Sequence, residues 1–247
     1  MSRIRRSQTD RASHAGSLPL AAPLALPTPR AILFDFDLTL ADSTRAIVEC
    51  FNHAFRELDL PCPAPDAIRR TIGYPLPKAF ASLCADTSPH AAESFVKHFI
   101  ARADQVMNEM TTMLPFATET ARALRTRGIR TAIVSTKFRY RILEILALRG
   151  SSDAFDVVLG GEDVREHKPH PEGLQLALTR LNLEPGHAWY VGDHPVDAQA
   201  ALGAGMTFVA MLTGVAKRED FVDITVHHYL ESMQELPVLI ESSSSLR

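Results

Sequence analysis

The rhythm of apolar and polar positions changes along this 247-residue chain. Residues 31–35, AILFD, form a short unbroken apolar run closed by an acid, which reads as a strand buried on both faces. Over 42–59, Ile47, Val48, Phe51, Ala54, Phe55 and Leu58 recur at helical spacing; Asp42 or Ser43 stands where an N-cap belongs, and Pro61, Pro63 and Pro65 end the run. Helical spacing continues over 65–113 around the turn TIGYPLPKAF (71–80), with no strand pattern there. From Pro115 the chain alternates. Helices are expected at 117–127, 138–148, 172–182 and 196–203, and strands at 131–135, 155–160, 188–193 and 207–212, with a weaker strand near 225–229. Buried strands alternating with helices predict an α/β fold: a Rossmann-like, doubly wound parallel sheet with a helical subdomain inserted after its first strand. The expected division is a core of 31–41 and 114–236, an insertion of 42–113, and a loose C-terminal tail of 237–247, suggested by ESSSS.

Residues 1–30 break this pattern. Arg3, Arg5, Arg6, Arg11 and Arg30 face only Asp10, so the segment carries +4 and the rest of the chain −7. Prolines at 19, 23, 27 and 29 interrupt its apolar stretch, which argues against a signal peptide and for a disordered extension, with an organelle transit peptide as the alternative for an arginine-rich, acid-poor segment. The overall charge of −3 argues against a general nucleic-acid binder, and no apolar stretch is long enough to span a membrane. Three cysteines without CxxC spacing fit reduced thiols in a cytoplasmic protein, and the ten histidines form no zinc-site spacing.

The chemistry gathers at the strand ends. In such sheets ligands bind beyond the carboxyl ends of the strands. Those ends carry Asp35 and Asp37, then Ser135, then Gly160-Gly161, then Gly192-Asp193, with Asp197 four residues further along a helix start. Several carboxylates at one edge need a cation, and oxygen ligands without histidine or cysteine suit Mg²⁺ shared with a phosphate. Lys168 and Ser135 offer a charge and a hydroxyl for phosphate oxygens. One carboxylate could attack phosphorus while a second transfers protons. Taken singly, each residue has a plainer reading: Ser135 and Thr136 as helix-capping residues, Lys168 as a surface lysine, Asp193 and Asp197 as an N-cap and a first-turn acid.

Four motifs in order change that balance: DFDLT (35–39), IVST (133–136), KP (168–169) and GDHPVD (192–197). Over residues 31–235 the chain resembles the haloacid dehalogenase-like superfamily, and within it the phosphatases with a helical cap. The resemblance implies Asp35 as nucleophile and Mg²⁺ ligand, and Asp37 as general acid/base with its main-chain carbonyl on the metal. Thr39 would orient Asp37. Ser135 and Lys168 would hold the phosphoryl group, with Thr136 beside them. Asp193 would be a further metal ligand, supported by Asp197. An acid at position 37 favours phosphate chemistry over carbon–halogen or carbon–phosphorus cleavage. Leu38 departs from the glycine common in the family. The 71–80 turn resembles a substrate-specificity loop in which Gly73 permits close approach, with Lys78, Arg45 and Lys137 as weaker candidates near the mouth.

The expected partner is a small phosphorylated substrate, phosphoglycolate first, acted on by a monomer or homodimer. Inorganic pyrophosphate is the nearest alternative. A sugar-phosphate mutase is disfavoured because Ile47 stands where related mutases carry a cap histidine, and a non-catalytic phospho-ligand module because every motif acid is present.

Overall fold

The computed structural model describes residues 28–85 and 88–244. Strand β1 (Ala31–Phe34) leads through a tight turn to β2 (Ala41–Asp42) and four helices: α1 (Thr44–Glu57), α2 (Pro65–Arg69), α3 (Leu76–Leu83) and α4 (Pro89–Met110). The chain returns through β3 (Thr112–Met113) and then alternates: α5 (Ala117–Thr126), β4 (Arg130–Val134), α6 (Arg139–Leu148), β5 (Val157–Leu159), α7 (Glu172–Leu181), β6 (Ala188–Gly192), α8 (Pro195–Gly203), β7 (Thr207–Met211), β8 (His228–Leu230) and α9 (Glu235–Ser244). Six strands form one parallel sheet in the order β5-β4-β1-β6-β7-β8.

The period of two along each strand decides what covers each face. Ile32, Phe34, Ile133, Trp189 and Val191 pack with Ala121 and Leu124 of α5, Ile142 and Ile145 of α6, and Leu236 and Ile240 of α9. Leu33, Ala132, Val134, Tyr190 and Phe208 point the other way, toward Leu174, Ala177 and Leu178 of α7 and Ala198 and Ala201 of α8. Both faces are therefore dry, as an all-parallel sheet requires. Register levels Phe34 with Ile133 and Val191, so the residues just beyond leave the sheet along one edge.

The inserted helices bury an aromatic cluster that is continuous with the apolar layer on one face of the sheet. Phe95 has its ring centroid 5.0 Å from Phe51, 4.8 Å from Phe80 and 5.9 Å from Phe99. Glu49 of α1 and Arg102 of α4 close a 2.7 Å ion pair beside it. The two chain crossings to the sheet run side by side as an antiparallel ribbon, Ala41 against Met113 and Asp42 against Thr112.

Three expectations are corrected. The 237–247 segment is not loose as far as it is described: α9 runs to Ser244, and Leu236 and Ile240, four apart, form an apolar stripe buried on the sheet's helical layer. Residues 245–247 lie outside the described residues. The 65–113 stretch does contain a strand, β3, too short for a sequence pattern because its partner supplies the pairing. The closing strand sits at 228–230, later than expected. The disordered extension expected over 1–30 lies outside the described residues up to 27. Arg30 is already tied to the core, its N–H donating to His187 O at 2.7 Å and its carbonyl accepting from Arg130 N–H at 2.9 Å.

Candidate active site

Beyond β1 the chain turns within six residues. Leu40 and Ala41 N–H both donate to Phe36 O, and Leu38 N–H donates to Ala41 O at 2.7 Å. Leu38 holds the turn at φ +60°, a left-handed conformation costing a branched residue roughly 1–2 kcal/mol. Burial of its side chain and a hydrogen bond from Thr213 Oγ1 to its carbonyl (2.5 Å) offset that cost. Leucine therefore makes the turn that glycine makes more freely. The turn sends Asp35 and Asp37 into different surroundings.

Asp35 is buried at the sheet edge with Lys168 Nζ 2.9 Å from Oδ1. The same ammonium lies 2.5 Å from Asp197 Oδ1 and donates to Tyr190 Oη at 3.0 Å; that hydroxyl in turn donates to Val134 O. Ser135 also brings a hydroxyl to the Asp35 carboxyl. Asp193 accepts from Thr39 Oγ1 at 3.1 Å. Carboxylate oxygens of Asp35, Asp193 and Asp197 lie within 4.8 Å of one another, so one edge carries three buried acids around one lysine.

Burial raises the Asp35 carboxyl above its ordinary range, against the pull of Lys168, with Asp197 adding repulsion. Burial, then Asp197 and Asp35, raise Asp193 well above it. Burial alone would lower Lys168, but Asp197 and Asp35 hold its ammonium well above the usual lysine range. The cluster thus holds more carboxyls than its one lysine can neutralise, and the resulting preference for a proton or a cation centres on Asp35 and Asp193. Loop 213–217 approaches Asp193 so closely that a Cβ on Gly214 would collide with Oδ2. Hard oxygen donors, an excess of carboxyls and a close-fitting loop suit a small divalent cation.

Asp37 takes a different partner. Its Oδ2 is 2.8 Å from Lys137 Nζ, and its Oδ1 is buried with no hydrogen-bond partner among the described residues. Both residues line a cavity of about 170 Å³ between the insertion and the sheet edge, along with Thr136, Gly73, Ile47, Phe51 and Phe99. Gly73, at φ +101°, lets the 71–80 turn descend onto the edge; Thr136 Oγ1 donates to its carbonyl at 3.3 Å, and Tyr74 packs edge-on against His194 at 5.1 Å. Burial, then the nearby Lys168 charge, lowers His194 to about 4.

The structure therefore brings Asp35, Asp193, Asp197, Lys168 and Ser135 together, with Asp37, Thr136 and Gly73 at the adjoining cavity. Two of these residues have partners that the sequence did not indicate. Thr39, expected to orient Asp37, is fully buried and its hydroxyl donates to Asp193. Asp197, expected to support Asp193 at the metal, holds Lys168 with Oδ1 and accepts from His194 N–H with Oδ2 (3.1 Å) as the N3 residue of a capping box, and it stays within the acidic cluster of Asp35 and Asp193. Arg45 is exposed and does not line the cavity, and Lys78 stacks over Tyr74 at 4.3 Å. Lys137 is the residue the sequence undervalued. The available signal was its position two residues after Ser135, on the same strand-end turn.

The sequence profile described as haloacid dehalogenase-like hydrolase matches residues 32–211. A phosphoglycolate phosphatase of Xanthomonas campestris pv. campestris is 31% identical over 192 residues, covering 78% of this chain and 87% of its own. The pyrophosphatase PpaX of Bacillus velezensis is 30% identical over 209 residues, 83% and 94%. The crystal structure of a haloacid dehalogenase-like hydrolase from Bacteroides fragilis superimposes with a TM-score of 0.82 at 39% identity, covering 84% of this chain and 99% of that one.

Proposed function

This chain belongs to the haloacid dehalogenase-like hydrolases and is a phosphatase, and we propose that it hydrolyses a small phosphorylated metabolite through an aspartyl-phosphate on Asp35. The observation that carries the reading is Lys168 held between Asp35 and Asp197 at 2.9 and 2.5 Å, a buried ammonium fixed where a phosphoryl group would meet the nucleophile. Asp35 attacks phosphorus and the ester oxygen leaves. Asp37 protonates that oxygen, then takes a proton from the water that releases phosphate and restores Asp35. Lys137 fixes Asp37 through Oδ2 and leaves Oδ1 for the proton. Ser135 and Lys168 hold the transferring oxygens. Asp197 positions Lys168 through Oδ1 while its Oδ2 accepts from the His194 N–H. Asp35, Asp193 and the Asp37 main-chain carbonyl would hold Mg²⁺, which supplies charge neutralisation for the phosphate and the paired acids.

The helical insertion acts as a cap that excludes water, moving on the β2/β3 ribbon. Three free cysteines, Cys50, Cys62 and Cys84, support a reducing, cytoplasmic setting. Asp35→Asn tests the reading. Phosphate release from acetyl phosphate with Mg²⁺ is expected to fall by at least about 10³-fold, since a nucleophile acting as part of a unit removes most of the catalysis when lost. Chelation should abolish the wild-type rate. A variant of unchanged rate and intact circular dichroism would rule Asp35 out as nucleophile.

A further inference from the structure

We infer that the group esterified to the substrate phosphate is uncharged and apolar, about the size of a single ring, and that it seats in the cavity between the insertion and the sheet edge. The inference rests on the phosphatase reading and narrows its substrate class.

The cavity's apolar walls include Ile47, Phe51, Ile72, Leu76, Phe99 and Met107, and its polar lining includes Asp37, Thr136, Lys137, Arg141 and His167. Asp37, the proposed proton donor to the leaving oxygen, stands in this polar lining, so a leaving group that meets Asp37 has the apolar walls beyond it. Size adds a second constraint. The cavity measures about 170 Å³, and cavities of about 150 Å³ lined by Leu, Ile and Phe accept benzene.

Charge separates this substrate class from the two that the relatives' names suggest. Phosphoglycolate carries a carboxylate, and pyrophosphate a second phosphate, beyond the scissile bond. Either would need an available cation on the wall, because an unpaired anion in apolar surroundings is strongly disfavoured. Among the described residues the lining carries two cations, each held by a partner: Lys137 by Asp37 Oδ2 at 2.8 Å, and Arg141, almost fully buried, by Asp104 and the Tyr140 hydroxyl. His167 is the remaining basic group of the lining, and a single imidazole is not the cation cluster a distal phosphate requires. The phosphoglycolate expected from the sequence is thus disfavoured by the wall it would have to face.

The test compares kcat/KM of the full chain with Mg²⁺ on benzyl phosphate, ethyl phosphate, phosphoglycolate and pyrophosphate, with acetyl phosphate as a reactive donor that needs no cavity. Benzyl phosphate is expected to exceed ethyl phosphate and phosphoglycolate by roughly tenfold or more, the worth of a few methylenes in an apolar pocket. Phosphoglycolate or pyrophosphate equal to or better than benzyl phosphate would overturn the inference and leave the phosphatase reading standing. No phosphate from any of the five, acetyl phosphate included, would remove that reading and the inference with it. Leu76→Arg then places a cation on the wall. The ratio of benzyl phosphate to phosphoglycolate turnover should drop at least about tenfold. Because both rates come from one preparation, the ratio does not depend on the fraction folded. An unchanged ratio would show that the leaving group lies elsewhere.

Discussion

Two buried clusters meet at the cavity and are built on opposite terms. At the sheet edge, Asp35, Asp193, Asp197, Lys168 and Tyr190 are held by ion pairs and hydrogen bonds out of reach of water. In the insertion, Phe51, Phe55, Phe80, Phe95 and Phe99 are held by contact and burial alone. A charged cluster has few workable arrangements, because each buried charge requires a partner in position. An aromatic cluster tolerates repacking at similar volume. Chemistry can therefore stay constant on the sheet while the insertion changes which molecule fits over it.

The strongest way to break this contrast is to remove the cation that organises the polar cluster. Lys168→Met keeps the stem and deletes the charge, leaving three acids facing one another. Removing one partner of a buried pair typically costs about 3–5 kcal/mol, and turnover should vanish with it. Urea unfolding at pH 7 without metal measures the stability change. A loss under about 1 kcal/mol would mean that the acids are not repelling across a dry site. Phe95→Ala is the matching test of the other cluster. Truncating a buried phenylalanine costs about 3–5 kcal/mol, and the effect should stay local. Hydrogen exchange should accelerate across 44–110 while β1 and β4 keep their protection. Equal loss in the sheet would show that the two clusters fold as one.

Metal and pH sharpen the comparison further, because only one cluster should respond to them. Asp35 and Asp193 have raised carboxyl pKa values, caused first by burial. The folded chain therefore keeps protons that the unfolded chain releases near the ordinary 3.8. Without metal, this contribution favours folding at low pH and is lost as pH rises toward the folded values. Mg²⁺ takes the protons' place, so its stabilising effect should grow from pH 5 to pH 7.5. At a hundredfold excess over the dissociation constant it reaches about 2.7 kcal/mol. Thermal melts with Mg²⁺ and with chelator at the two pH values check the sign; a Mg²⁺ shift larger at pH 5 would contradict it.

The same contrast explains what could be read from the chain. The sheet was legible because each central strand is an apolar run stopped by Asp35, Ser135 or Gly192-Asp193, and those stops are the site. Side-chain partners were not, because sequence distance hides them. Thr39 meets Asp193 across 154 positions, and Lys137 meets Asp37 from the far side of the whole insertion. Asp197 was open to two readings, cap and site residue, and it does both at once: Oδ2 accepts from the helix start and Oδ1 holds Lys168. The C-terminal helix was missed because its serines outweigh the two residues, Leu236 and Ile240, that dock it.

The smallest effect should come from the neck that joins the two clusters. Asp42 Oδ1 accepts from Thr44 N–H at 2.8 Å, at the point where β2 gives way to α1. Beside it Thr111 Oγ1 donates to Ser43 Oγ at 2.9 Å, both residues fully buried, so the ribbon has a second polar tie. Asp42→Ala removes a helix-start acceptor, a change worth about 1 kcal/mol. In a chain of this size that is a drop of roughly 2–4 °C in melting temperature. Asp42 touches neither the Lys168 cluster nor the cavity wall, so acetyl phosphate turnover should be unaltered. Calorimetry and a rate measurement on the same preparation read both quantities. A several-fold fall in rate with a small change in melting would mean that the neck transmits the position of the insertion to Asp37, and the two clusters would then be coupled through the ribbon rather than merely joined by it.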